Sequence, residues 1–394
     1  MRVLPGSGER AELACAHSAV YSDLHAPWRW QRLSRVSGSL FVAEGVDPIL
    51  RNREYYMSAR REITLELGIE ELRLITPLHI TGRTFDQVPV VVVTLCDGEL
   101  RGRGEAAGVY YLGDYPSDMV NVIERHRERI EAGISRDALR SLLPPGGARN
   151  AVDCALWELE SKRARLPVWT LAGLPAPAPL RTTFTVGAEE PHVMAEHARA
   201  YGHALSLKLK LTGQVDLDIA RLRAVRAARP DVWIAVDANQ GYVPATLALL
   251  LPALAEARVS LLEQPFARGH EADLVRVDRL IPIAADESVQ GLDELESLVG
   301  RFDVVNIKLD KCGGLTEGLL MARRAAELGL RVMVGNMVGT SLAVAPSFVL
   351  GQLCEISDLD GALFLAHDRQ PGVVYADGHI DCPAEVWGFA EHST

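Results

Sequence analysis

The 394-residue sequence contains no CxxC pair: its six cysteines, Cys15, Cys96, Cys154, Cys312, Cys354 and Cys382, are scattered, which argues against a zinc knuckle or a disulfide scaffold. The 11 histidines form no HExxH or HxH cluster, so a zinc hydrolase has no support. Gly313 and Gly314 are followed by no GKS or GKT and read as a tight turn rather than a phosphate loop. Positive charge is in short supply. Lys and Arg number 41 against 52 Asp and Glu, a net charge of −11, so no basic surface is available to collect a phosphate backbone and nucleic acid is not expected as a partner. No apolar run is long enough to span a bilayer, and the first thirty residues carry Arg and Glu where a secretory signal needs a continuous apolar stretch. A cytoplasmic protein without a membrane partner is the expectation.

What is present suits a globular protein, with 48% hydrophobic and 24% charged residues. The length exceeds one ordinary hydrophobic core, so two domains are expected. Residues 1–56, with the cluster Trp28, Arg29, Trp30 and no sustained periodicity, read as an N-terminal extension. Met57 opens a cleaner pattern and is one candidate for the natural start. Residues 57–175 read as an α+β capping domain: a strand over 63–74, a loop over 77–87, a strand over 88–95, a turn at Asp97 and Gly98, then helices. In NAVDCALWELESK (150–162), Ala151, Ala155, Leu156 and Leu159 fall at helical spacing. Within that domain 108–116, carrying Tyr110 and Tyr111, reads as a second lid loop or as a surface turn.

Over 176–370, short apolar strands alternate with amphipathic segments such as 216–228 and 317–328, each long enough for a crossover helix. Eight strands are readable: TTFTVG, LSLKLKL, WIAVDAN, VSLLEQP, IPIAADES, DVVNIKLD, RVMVGNM and EISDLDG. Eight such units favour a closed (β/α) barrel over an open sheet. Residues 371–394 form a C-terminal segment expected to return to the cap.

In a parallel barrel, catalytic groups gather at the C-terminal strand ends. Strands three, four and five end in Asp237, Glu263 and Asp286, each one strand-helix-strand step from the next. Three carboxylates converging on one rim suit a hard cation, and oxygen ligands in this number suit Mg2+. Strand two carries Lys208 and Lys210, whose spacing points both ammonium groups to one face, and the alternation with Leu207, Leu209 and Leu211 makes that face the interior. Burying like charges is costly unless one deprotonates or an acid compensates, and a lysine pKa depressed in this way would suit a base. Strand six ends in Lys308, which lies opposite strand two in a ring of eight. A substrate between Lys210 and Lys308 would have one base on each side of its carbon, the arrangement of a racemase or epimerase. A divalent ion on the substrate carboxylate would stabilise the enediolate left by α-proton removal.

These residues resemble the enolase superfamily, in its muconate-lactonising-enzyme-like subgroup with KxK on the second strand, from about Ile63 to the C-terminus. The resemblance implies an α/β fold, a modified (β/α)7β TIM-like barrel with an N-terminal α+β capping domain. It also implies Mg2+ on Asp237, Glu263 and Asp286, with Lys210 and Lys308 as the acid/base pair and Lys208 supporting the substrate carboxylate. DLDG at 358–361 looks like the motif with which dipeptide epimerases of the L-Ala-D/L-Glu type hold an α-ammonium group, here through Asp358 and Asp360, and alternate carboxylates at a strand end complement a cation. Arg83 in ITGRTFDQ stands near where related epimerases present an arginine to an acidic side chain. After strand seven the chain reads GNMVGTSLAVAP, where many cycloisomerase-like relatives carry a glutamate; this departure weakens the cycloisomerase reading and leaves Asn336 shaping the pocket. The expected function is a dipeptide epimerase acting on a small carboxylate substrate. A cycloisomerase, a lyase or dehydratase of the same subgroup, and an N-acylamino acid racemase are the alternatives. A homo-oligomer is compatible with the family.

Overall fold

The computed structural model describes residues 63–80 and 83–390; the side chains of 78–80 and of 83 and 84 fall outside that description. The expected extension 1–56 and the candidate start Met57 also lie outside the described residues.

The described residues open with an antiparallel three-stranded sheet, β1 (Thr64–Ile80), β2 (Arg83–Asp97) and β3 (Leu100–Ala106). The loop expected over 77–87 is instead a long hairpin arm: pairing runs from Thr64 opposite Cys96 as far as Ile80 opposite Arg83, with a register shift between Arg73 and Leu78. Pro77, which has no N–H to give the ladder, sits in that irregularity; beyond it the β-forming run resumes, so the proline displaces the pairing without ending it. Gly104 of β3 has a specific reason to be glycine. A Cβ there would collide with the backbone of Ala151 in the helix Gly147–Ala164, so β3 lies flush on that helix.

That helix is buried on both sides. Ala151, Val152, Ala155, Leu156 and Leu159 join Val91, Val93 and Leu95 in the cap core, while Cys154 and Trp157 belong to the large core of the barrel. It therefore welds the two layers together.

After β4 (Leu180–Arg181) come eight parallel strands, one for each read from the sequence. They are β5 (Phe184–Val186), β6 (Ser206–Lys210), β7 (Trp233–Asp237), β8 (Leu261–Glu263), β9 (Ile283–Ala285), β10 (Val304–Lys308), β11 (Arg331–Gly335) and β12 (Ile356–Asp358). Each pairs with the next, and a Thr182–Ser357 bridge with the hydrogen bond from Thr183 N to Ser357 O (3.0 Å) joins last to first. Leu207, Leu209 and Leu211 point outward into the helix-facing core. Inside the barrel a separate apolar plug of Ala235, Leu261, Ala284, Val304, Met333 and Ile356 fills the middle. Polar chemistry is thereby confined to the C-terminal rim above it. Two short strands follow, β13 (Val374–Ala376) and β14 (His379–Asp381), which pair with each other while β14 also pairs with β4, and the chain then meets the cap, where Trp387 Nε1 donates to Arg103 O (3.1 Å) and Phe389 N to Ser161 Oγ (2.9 Å). Among the described residues no helix is long and apolar enough to cross a membrane.

Candidate active site

Strand register sets the site. Lys210 pairs with Asp237 and Asp237 with Glu263 across β6, β7 and β8, so three functional side chains leave the barrel at one level. Asp286 follows directly on β9, and Lys308 closes β10. Strands β6 and β10 are four places apart in a ring of eight, hence opposite each other. One cavity of about 310 Å3 opens above them, lined by Lys208, Lys210, Asp286, Lys308, Asn336, Asp358 and Asp360 together with cap residues Phe85, Tyr110 and Tyr111. That is the size of a small-ligand site.

The carboxylates and ammonium groups form one buried lattice. Lys208 is 1% exposed, and its Nζ stands 2.7 Å from Asp358, 2.9 Å from Glu263 and 3.2 Å from Asp237. Lys210 Nζ reaches Asp237 at 2.6 Å and Lys308 Nζ reaches Asp286 at 2.8 Å. Asp286 has a second partner in Lys311, 2.6 Å from Oδ1, and Asn306 Nδ2 donates to Glu263 Oε1 at 3.0 Å.

Of the two outcomes open to the strand-two lysine pair, loss of a proton or compensation by an acid, the lattice gives Lys208 the second. Burial does pull Lys208 and Lys308 downward. The nearby carboxylates outweigh it, Asp358 and Glu263 foremost for Lys208 and Asp286 for Lys308, so both end above the ordinary lysine value. Among the acids, burial pushes upward everywhere. Lysine fields overcome it at Asp237 and Asp286, which end well below the usual range, whereas Glu263, buried beside Asp237, rises to about 7. Asp360 rises to about 7 through burial and the field of Asp358, and Glu287 to about 8 through burial and Asp286.

Fit to a cation can be tested on the donor set itself. Among the described residues no three acidic, histidine or cysteine side chains are arranged to grip a metal ion as they stand, because ammonium groups hold them. Yet Asp237, Glu263, Asp286, Glu287, Asp358 and Asp360 outnumber Lys208, Lys210, Lys308 and Lys311, and Glu287 Oε2 is buried with no hydrogen bond. An anionic, all-oxygen, partly unsatisfied cluster fits a hard divalent ion.

Sequence reading missed Glu287, Asn306 and Lys311. Asn306 stands two residues before Lys308 on one strand, so the same period of two that singled out Lys208 and Lys210 would have found it. Glu287 and Lys311 lie past their strand ends, where period no longer applies. Of the expected substrate contacts, Asp358 is bonded to Lys208 and to Thr183 Oγ1, and Asp360 Oδ2 accepts from Thr185 N at 2.6 Å. Asn336 lines the cavity with Nδ2 buried and without a partner. Arg83 opens β2, and its side chain lies outside the described residues.

Residues 63–173 match the mandelate racemase/muconate lactonizing enzyme N-terminal domain, and residues 193–386 match the enolase C-terminal domain-like family. L-Ala-D/L-Glu epimerase of Escherichia coli K12 is 35% identical over 80% of this chain and 99% of its own length. An enolase family member of Agrobacterium tumefaciens with homology to dipeptide epimerases, solved with sodium and L-Ala-L-Glu, superposes with a TM-score of 0.79 at 38% identity, covering 83% of this chain and all of that one. A dipeptide epimerase of Methylococcus capsulatus, solved with Mg and L-Arg-D-Lys, superposes with a TM-score of 0.76 at 27% identity over 81% of this chain and 96% of its own. Barrel, cap and matched domains agree: the chain belongs to the enolase superfamily, in its mandelate racemase and muconate-lactonizing group.

Proposed function

We propose that this chain is a Mg2+-dependent dipeptide epimerase that inverts the α-carbon of the C-terminal residue. One observation carries the reading: Lys210 and Lys308 end opposite strands, each ion-paired to a neighbouring strand's carboxylate, and both line one cavity. A carbon held between them can lose its proton to one lysine and receive one from the other, on opposite faces. Their roles exchange with the chirality of the substrate.

Lys208 is unsuited to be a base. Surrounded by Asp237, Glu263 and Asp358, it keeps its proton and offers a fixed positive charge to the substrate carboxylate. Asp358 and Asp360 meet the α-ammonium group, and Asn336 offers its unpartnered Nδ2 to the peptide carbonyl. Arg83 is assigned to an acidic side chain of the dipeptide. Asp237, Glu263 and Asp286 are the residues that would hold Mg2+. When bound, the ion would supply positive charge that stabilises the enediolate and offsets the carboxylate field keeping Lys308 protonated.

The test is a dipeptide library incubated in D2O with Mg2+ and followed by mass spectrometry and chiral analysis. Epimerisation places one solvent deuterium on the α-carbon of the C-terminal residue and leaves the constitution unchanged. An unsaturated acid would assign the chain to lyase chemistry instead, and turnover of N-acylamino acids in place of dipeptides would make it an N-acylamino acid racemase.

A further inference from the structure

Two buried polar groups, one lining the cavity and one fastening the loop that carries it, have no task in the reaction so far. Tyr111 lines the cavity, and its hydroxyl is buried without a hydrogen-bond partner. Burial, reinforced by the negative fields of Asp286 and Glu287, holds this phenol far above its ordinary range, so it stays a neutral donor. Buried donors in native proteins are seldom left idle. The ring is also seated firmly: it packs edge-on against Tyr110 with centroids 5.3 Å apart, and Tyr110 leans on Phe85 of β2 at 5.4 Å.

Asp310 is the second group. It lies two residues beyond Lys308, is buried, and its Oδ1 accepts a hydrogen bond from Gly108 N at 2.9 Å. Gly108 has a φ of +72°, and a Cβ there would strike the backbone of Asp114. The chain therefore turns sharply at the point Asp310 holds, three residues before Tyr111. Asp114 ties the far side of the same loop to the cap helix by accepting from Gly147 N at 2.7 Å. One carboxylate fastens the loop to the barrel and the other fastens it to the cap.

We propose that Tyr111 is a substrate-binding residue whose hydroxyl donates a hydrogen bond to an oxygen of the bound dipeptide, and that Asp310 is the positioning residue that seats it by holding Gly108. No acceptor among the described residues bonds the hydroxyl, so the acceptor left to the phenol is one the substrate brings, its carboxylate or its peptide carbonyl. The inference rests on the epimerase reading above. It assigns Tyr111 to binding and not to proton transfer.

The experiment measures solvent-deuterium exchange with Mg2+ on the dipeptide that the wild-type chain exchanges fastest, from a library that includes L-Ala-L-Glu. Tyr111→Phe is expected to raise KM roughly three- to tenfold, the value of one neutral hydrogen bond, with kcat changed less than about threefold for both antipodes. Asp310→Ala is expected to raise KM to a similar extent, and the double variant to add little beyond either change alone. Asp310→Asn keeps an acceptor oxygen for Gly108 N and is expected to restore KM to within about twofold. An unchanged KM in Tyr111→Phe overturns the binding role while leaving the epimerase reading intact. Fully additive KM effects, or a lowered melting temperature in Asp310→Ala without a KM change, overturn the positioning role. Absence of exchange in the wild-type chain with every dipeptide removes both readings together.

Discussion

The rim of the barrel and the roof supplied by the cap face the same cavity and are built on opposite principles. At the rim, charged side chains leave strands whose register leaves them little freedom, and every lysine there is ion-paired. At the roof, Tyr110 packs against Phe85 on one side and edge-on against Tyr111 on the other, and Tyr111 leaves its hydroxyl unused. A reaction that moves a proton needs its bases fixed relative to one another, which strands provide. Choice among substrates can be left to loops, which tolerate change.

Substitution should separate the two regions by size of effect. Lys308→Ala or Lys210→Ala is expected to lower epimerisation by about two to four orders of magnitude, the usual share of a positioned acid or base. Each variant should still exchange the α-proton of one antipode, because the remaining lysine addresses that face. Deuterium uptake measured separately from each antipode checks this. If Tyr111→Phe were as damaging as loss of a lysine, the division between a chemical rim and a binding roof would fall.

The rim was largely legible in sequence because its residues sit where a periodicity ends. Asp237, Glu263 and Asp286 stand at the ends of apolar runs, and Lys208 and Lys210 alternate with leucines, so local pattern and global position coincide. The roof was less so. Phe85 falls in a stretch that reads as a loop because Pro77 interrupts it, yet it lies within β2. The direction of the lysine shifts was illegible for a different reason: Lys208 is held by acids from three other strands, and no linear pattern sums such a field. Ties between distant segments, such as Gly108 to Asp310, carry no local signal at all.

The tie at Asp310 also predicts a pH effect on stability, of intermediate size. Burial raises this carboxyl to about 7, with Asp114 and Glu105 adding to it and the backbone bonds from Gly108 and Ala107 opposing. A carboxyl that titrates higher in the folded than in the unfolded chain binds more protons when folded. Its contribution is fully present below about pH 4 and is lost as pH rises through 7. From the interval between those values the loss is on the order of 4 kcal/mol. Asp310→Asn carries no titrating proton, so its stability relative to the native chain should rise across that window in urea unfolding series. Parallel pH profiles for the two chains would show that Asp310 is not the group responsible.

The smallest expected effect concerns the join between the two regions rather than either one. Glu105, at the end of β3, is 1% exposed; one oxygen accepts from Thr340 N at 2.7 Å, and the other accepts from Thr340 Oγ1 and from Arg369 Nε at 3.1 Å. Cap and barrel thus share one buried carboxylate. Glu105→Ala removes the acceptor and leaves Thr340 N without its partner, while Arg369 keeps a bond to Glu70 at 2.8 Å and is 29% exposed, so solvent relieves part of its loss. A destabilisation of about 2 kcal/mol is expected, read as a lower urea midpoint at unchanged slope. Because the helix Gly147–Ala164 still belongs to both cores, the variant should unfold in one transition. Two separate transitions would mean that the shared carboxylate, and not the shared helix, makes cap and barrel a single cooperative unit.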